Sequence, residues 1–360
     1  MARYTDIFKS RYSVTGIRSE SPDNSQVLIT GSCPPSATQQ YPQAMLYRGP
    51  MNPTDCPNPT GFSQCYSLTP NFQGMNFSTS VFYGPDTWYS NPRIGKYNVR
   101  AVGTYRYVGD PLGPVEHGML YEGPLDGSGD WTKIDMPSIK AGGDVRSTVP
   151  HSTMGDLIVG CYDLLTFEEG KFNAFIYKIN PNNPGDPNNY QKLTLEPYTF
   201  ITAYGIWENG KYDKNITSYT IAGGLFDEDG INVGYLVDYD SGTLGTPKMF
   251  PNNDDSNIIT HFEGITELDS ASTSYGPHYY SLAATGDQTP QNLKTGGAAF
   301  AVVERLPNGS FSDAKWEPLQ VDNYITTGNT VLTNNVFGIY LTGDGSPSDE
   351  SFQSYLASHL

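Results

Sequence analysis

Basic residues are scarce. The 360-residue chain has 21 Lys and Arg against 38 Asp and Glu, a net charge of −17. A surface this acidic repels phosphate backbones and anionic lipid, so neither nucleic acid nor a membrane is an expected partner. No apolar run approaches the roughly 18 residues that span a bilayer. No apolar period near 3.6 persists over three turns, so no helix of consequence is expected. There are four cysteines, Cys33, Cys56, Cys65 and Cys161, with no CxxC and no zinc-ligand spacing. The GxSxG, HExxH, P-loop and strand-to-helix GxGxxG signatures are missing. Neither a metal nor an organic cofactor is therefore expected. The start MARYTDIFKS lacks the apolar core of a signal peptide. A removed leader and sequons at Asn76, Asn215 and Asn308 make the secretory pathway the expected location, with a cytoplasmic one still open.

Turn formers and aromatics are plentiful, with 38 Gly, 27 Pro and 26 Tyr. Gly and Pro supply turn dihedrals and aromatics suit pleated surfaces, so many short strands are expected. A weak repeat recurs six times. Its clearest element is a β-rich run carrying a small residue: QVLITGSC, VRAVGTYRY, LIVGCYD, YTIAGGLFD, YYSLAATGD and GIYLTGDG. Each follows a run ending near a Gly: YSVTGI, STSVFYG, HSTMG, ITAYGIW, THFEGI and LTNNVFGI. A third run follows, and in five units a fourth. The sixth unit stops at three, and ARYTDIF (2–8) is its spare fourth strand. An open ring of blades would leave unpaired sheet edges, which this pairing removes. The expected fold is an all-β, six-bladed propeller of four antiparallel strands per blade, closed by the N-terminal strand. Its blades fall near 11–70, 75–140, 144–197, 199–252, 257–322 and 326–360 plus 2–8, as one domain. Two β-sandwich domains are the competing arrangement.

The first strand of each blade lines the axis. Aligning those strands on their Gly gives a ring of Thr15, Tyr83, Met154, Tyr204, Glu263 and Phe337. Two residues earlier lie Ser13, Val81, Ser152, Thr202, His261 and Asn335, on the same strand face by alternation. Aromatic walls with a few polar groups suit a small apolar or aromatic organic ligand. His261 and Glu263 are the titratable pair, since a carboxylate beside an imidazole fixes its tautomer and tunes proton transfer. Strict alternation turns His151 away, and a bulge would turn it inward. Hydrogen bonding among channel residues is the structural alternative for all of these. Trp88, in the loop YGPDTWYSNPRIG, is the best exposed stacking surface for a sugar. Trp131 and Trp316 share one outer-strand position and read as packing, while Trp207 is placed as a cap on the channel mouth. His117 and His278 are expected on surface loops. Asp227, Asp229, Asp238 and Asp240 are expected at solvated hairpin ends. DEDGIN (227–232) and NNDDSN (252–257) lack the bidentate Glu of a calcium loop. Cys56 and Cys65 flank a Pro-rich loop and either close a small disulfide or remain thiols.

Through HSTMGDLIVGCYD, TAYGIWENG, SYTIAGG and THFEGI, the chain resembles the fungal secreted-type β-propeller hetero-Diels–Alderases of tropolonic sesquiterpenoid biosynthesis. The resemblance spans most of the chain and carries no short diagnostic motif. It implies a cofactor-independent pericyclase. Such an enzyme dehydrates a hydroxymethyl-tropolone to an o-quinone methide and holds a humulene-type terpene against it in the central channel. Tyr83, Tyr204 and Phe337 would then pack the terpene, and His261, Glu263 or Tyr204 would assist dehydration. Met154, Ser152, His151, Thr202, Asn335, Thr15 and Trp88 complete the expected substrate-binding set. A glycan-binding propeller and a polysaccharide lyase or hydrolase remain as alternatives.

Overall fold

A strand whose residues are all buried needs a neighbour on both faces. Leu157–Leu164 is buried at every position, and Val27–Cys33 and Gln43–Gly49 at all but one. Such strands form the middle of each sheet, sandwiched between adjacent sheets. The computed structural model describes residues 2–9, 11–36, 40–54, 56, 64–166, 172–209, 218–251, 260–268, 279–285, 297–342 and 351–359.

Six antiparallel sheets form the ring. From axis to rim, blade 1 is Ser13–Ser19, Val27–Cys33, Gln43–Gly49 and Gln64–Leu68. Blade 2 is Phe77–Thr87, Val99–Tyr107, His117–Gly123 and Asp130–Lys133. Blade 3 is Val145–Met154, Leu157–Leu164, Asn173–Lys178 and Tyr190–Leu193. Blade 4 is Gly205–Glu208, Ser218–Phe226 and Asn232–Asp240, its rim split between Thr243–Leu244 and Lys248–Phe250. Blade 5 is His261–Glu267, Tyr279–Thr285, Ala298–Glu304 and Lys315–Leu319. Blade 6 is Thr330–Leu332, Asn335–Leu341 and Phe352–Ser358, completed by Arg3–Ile7. The innermost strands touch in order around the ring, and blade 6 touches blade 1. The chain is thus a six-bladed β-propeller rather than two sandwiches. Closure runs from Arg3 opposite Ser358 to Ile7 opposite Ser354.

The recurrent small residue of the second strand has a steric cause. A Cβ at Gly31, Gly103, Gly160, Gly223 or Gly338 would lie 1.7–2.2 Å from a carbonyl oxygen in, or just before, the innermost strand. That carbonyl is brought close by a β-bulge, an extra residue that bends the strand. Register shifts mark bulges at Thr15, Tyr83, His151 and Glu263. In blade 4, the Tyr204 N–H bonds the Ala222 carbonyl at 2.9 Å, and Ala222 also faces Gly205. In blade 6, the Asn329 N–H bonds the Phe337 carbonyl at 2.8 Å, and Phe337 also faces Thr330. Tyr204 and Asn329 are the equivalent residues there.

Apolar clusters fill the spaces between blades. Phe82 stacks on Trp131 and Phe262 on Trp316 at the same interplanar angle of 14°, which is the shared packing position expected of the two tryptophans. Cys56 and Cys65 are bridged, while Cys33 and Cys161 are buried free thiols. The Asp227 carboxylate accepts the Asp229 and Ile231 N–H groups, tying the 227–232 tip as a turn. Asn76 and Asn308 are exposed. Asn215, His278 and the 252–257 segment lie outside the described residues. Among the described residues no helix is long and apolar enough to cross a membrane.

Two surface expectations need correction. His117 is not on a loop, because it opens the third strand of blade 2. Its Nε2 is 2.8 Å from Asp110, its Nδ1 is 3.3 Å from Asp135, and its ring stacks on Tyr105. Asp238 is not a solvated hairpin end, because it takes both Nη groups of Arg305 at 2.7 and 2.6 Å, joining blades 4 and 5.

Candidate active site

A bulge places two successive side chains on one side of a strand, which brings a ring of residues to the axis. Its members are Thr15, Tyr83, His151, Tyr204, Glu263 and Asn329. Three of them lace one blade to the next. Thr15 Oγ1 donates to the Phe82 carbonyl, His151 Nδ1 to the Tyr204 carbonyl at 2.9 Å, and Asn329 Nδ2 to the Val14 carbonyl at 2.8 Å.

Two members expected from the sequence lie elsewhere. Met154 ends the innermost strand of blade 3 within the apolar core, where its sulfur accepts the Glu208 N–H. Gly155, which follows Met154, is a turn glycine at φ +62 rather than the Gly of a bulge. In blade 3 the bulge is followed by Ser152 instead of Gly, so His151 takes the ring position and Ser152 stands where Gly16, Gly84 and Gly264 stand. Phe337 and Asn335 belong to the second strand of blade 6, with Phe337 fully buried in the core. The innermost strand there is the shorter Thr330–Leu332, preceded by Asn329. Thr202 precedes the innermost strand of blade 4, its hydroxyl accepting the Gly224 N–H at 3.0 Å, and His261 opens the innermost strand of blade 5. Trp88 is exposed but follows the end of Phe77–Thr87, so it lies on the opposite face from the mouth at which His261 begins its strand.

His151, His261 and Glu263 form one cluster. Glu263 Oε1 takes His261 Nε2 at 2.8 Å, and Oε2 faces His151 Nε2 at 3.4 Å. Thr260 Oγ1 is 2.7 Å from His261 Nδ1. Side-chain exposures of 21% for His261, 18% for Glu263 and 10% for His151 leave the first two reachable from the mouth. Tyr83 stacks on His151 with centroids 4.8 Å apart, and Tyr204 packs against the same ring at 4.4 Å. Tyr204 also meets His261 edge-on at 5.2 Å. The Tyr83 hydroxyl bonds Thr104, and that of Tyr204 bonds Cys161 and Thr202.

Proton positions follow from what each atom can do. A carbonyl only accepts, so His151 Nδ1 carries hydrogen. Its Nε2 then presents a lone pair to a carboxylate oxygen, and the contact is attractive only with a proton between them. Burial lowers the His151 pKa, with Glu263 pulling the other way. For Glu263, burial raises the pKa, but His261 and His151 outweigh it and hold it below the ordinary carboxylate range. The cluster therefore keeps a carboxylate ionised among rings that can each store or release one proton. Burial pushes the Tyr83 and Tyr204 hydroxyls up, so both stay protonated donors.

Below the cluster the channel is filled. The cavity lined by Thr15, Tyr83, His151, Tyr204, Glu263 and Arg18 has about 10 Å³, room for one water-sized species. Arg18 crosses the axis from blade 1 to the opposite blade 4, donating to the Ile206 carbonyl at 3.2 Å. Its guanidinium lies 5.7 Å from the Trp207 ring, so Trp207 buttresses a plug deep in the channel rather than capping the mouth. Arg18 was not singled out in the sequence, where its signal is a lone cation inside the apolar run SVTGIRS. No group of three or more His, Cys, Asp or Glu among the described residues could hold a metal ion.

No family model and no curated protein matches the sequence. Among solved structures, the chain is similar to the sialidase of Trypanosoma rangeli in complex with the inhibitor DANA. The TM-score is 0.50 at 6% identity, covering 98% of this chain and 55% of that one. It is also similar to a mutant of that sialidase displaying trans-sialidase activity, with a TM-score of 0.51 at 9% identity over 99% and 58% of the two chains. The chain spans a little over half the length of these proteins. At such identities the likeness is one of fold, and the fold they share is the β-propeller.

Proposed function

We propose that the protein is a cofactor-independent enzyme that moves protons on a small neutral organic substrate at the axial mouth. The observation that carries this reading is Glu263 held between two imidazoles, one of which, His151, has its Nδ1 hydrogen committed to a backbone carbonyl. A cavity of about 10 Å³ does not admit a tropolone or a terpene. The substrate therefore rests above the exposed edges of His261 and Glu263 rather than in the central channel.

The reaction that fits this site and the family resemblance is dehydration followed by cycloaddition. His261 gives a proton to the hydroxymethyl oxygen of a hydroxymethyl-tropolone, the C–O bond breaks, and water leaves. The tropolone O–H proton returns to the cluster, leaving a neutral o-quinone methide. One proton is given and one recovered, so the site ends as it began. The heterodiene forms in front of Tyr83 and Tyr204, whose hydroxyls are engaged with Thr104, Cys161 and Thr202. A humulene-type alkene then adds to it, with orientation supplying several kcal/mol of the barrier reduction.

Incubation of the protein with a hydroxymethyl-tropolone and humulenol tests the proposal. Accelerated formation of one stereoisomer is expected. A product mixture identical to that of the enzyme-free reaction would contradict it.

A further inference from the structure

Arg18 is a buried cation whose charge no carboxylate among the described residues meets. It is 6% exposed. Its Nη1 donates to the Ile17 carbonyl at 3.1 Å and Nη2 to the Ile206 carbonyl at 3.2 Å, and its Nε–H has no hydrogen-bond partner among the described residues. A buried charge without a partner is strongly unfavourable, and a buried polar hydrogen is nearly always satisfied.

The neighbouring carboxylates are already used. Asp86 is the carboxylate whose negative field acts on Arg18. Its oxygens take the Thr87 N–H, the Ser90 hydroxyl and the Asn91 amide, with Arg100 at 4.0 Å. Glu263 lines the same cavity but is held by His261 and His151. Two carbonyl dipoles and the Trp207 face soften the Arg18 charge without cancelling it.

We infer that the axial cavity beside Arg18 is a binding site for a single small monovalent anion, with halide the class that fits. Three observations converge on it. Among the described residues the cation has no counter-charge at ion-pair distance and its Nε–H has no acceptor, and Arg18 lines a cavity of about 10 Å³ that holds one small species. Larger oxyanions do not fit that volume. The bound halide neutralises Arg18 and braces blade 1 against blade 4, a role separate from proton transfer at the mouth.

Crystals of the wild-type protein grown or soaked in sodium bromide test this directly. An anomalous peak within hydrogen-bonding distance of Arg18 Nε is expected. A cavity showing only water density, with no anomalous signal, would overturn the inference. In solution, replacing gluconate by chloride at equal ionic strength should raise Tm by about 1–3 °C, the shift for a ligand well above its Kd on a chain of this size. Arg18→Met should abolish the chloride dependence, and equal Tm values in the two salts for the wild type would count against the site. The bromide map needs no variant, so it stands even where Arg18→Met fails to fold.

Discussion

Glu263→Gln separates the chemistry of the axial cluster from its packing. The amide has the shape of the carboxylate, and its carbonyl oxygen still accepts from His261 Nε2, now 2.8 Å from Oε1. Its NH₂ replaces the oxygen that faces His151 Nε2 at 3.4 Å, giving a donor to a lone pair and removing the need for a shared proton. The variant should fold, with Tm at pH 8 equal to or above wild type. The acid side behaves differently. Glu263 has a depressed folded pKa, so its stabilisation is present above the ordinary carboxylate range near pH 4.3 and is lost as pH falls through the lower folded value. That acid-side dependence should disappear in the variant. Activity should fall ~10²–10⁴-fold, or about 3–5 kcal/mol in barrier, as expected for losing a general acid–base group. Steady-state rates of cycloadduct formation, read beside thermal melts from pH 3 to 9, provide the assay. A variant as active as wild type would refute the role of Glu263. One that loses activity only because it unfolds would refute the packing argument.

Other predictions concern the scaffold. Burial lowers the His117 pKa, but Asp135 and Asp110 outweigh it and raise the value overall. Its stabilisation is thus full below about pH 6.5 and fades as pH rises through the folded value, so His117→Gln should flatten the alkaline side of the Tm–pH curve. Matching curves would remove His117 from that dependence. Gly160→Ala would put a Cβ 2.2 Å from the Val149 carbonyl, beside the His151 bulge, and should cost about 1–3 kcal/mol in chemical denaturation. Arg305→Ala breaks the two-pronged contact with Asp238 and the bonds to Thr220 and Tyr280. With both partners partly exposed, a loss of about 1–2 kcal/mol is expected, and Arg305→Lys should not restore it because one ammonium cannot span both oxygens. Deleting residues 2–8 bares the edge of Phe352–Ser358, and light scattering should show more self-association than for the full chain at equal concentration.

The blades were legible in the sequence because their cause is local. In five blades the small residue of the second strand is a Gly whose Cβ would lie less than 2.3 Å from a carbonyl at the bulge, and blade 5 carries the next smallest residue, Ala284, at that position. Closure was legible because three runs in the last unit left ARYTDIF without a partner. The ring was harder to read because a bulge breaks the two-residue period on which strand reading depends. His151 was turned inward by one extra residue, and Ser152 and Thr330 fill the position held by Gly in other blades. Those two substitutions shifted the alignment onto Met154 and Phe337. Asp238 and His117 were misread for another reason. Their partners Arg305, Asp110 and Asp135 lie on other segments, and pairing across a fold leaves no mark on local polarity.

Nitrogen-15 NMR of the histidine rings, recorded across pH, tests the acid–base cluster most directly. His151 should appear with hydrogen fixed on Nδ1 and should titrate below the ordinary imidazole range. Glu263→Gln should change its Nε2 shift. A His151 ring that titrates as free imidazole does, exchanging its hydrogen between both nitrogens and indifferent to Glu263, would contradict the account.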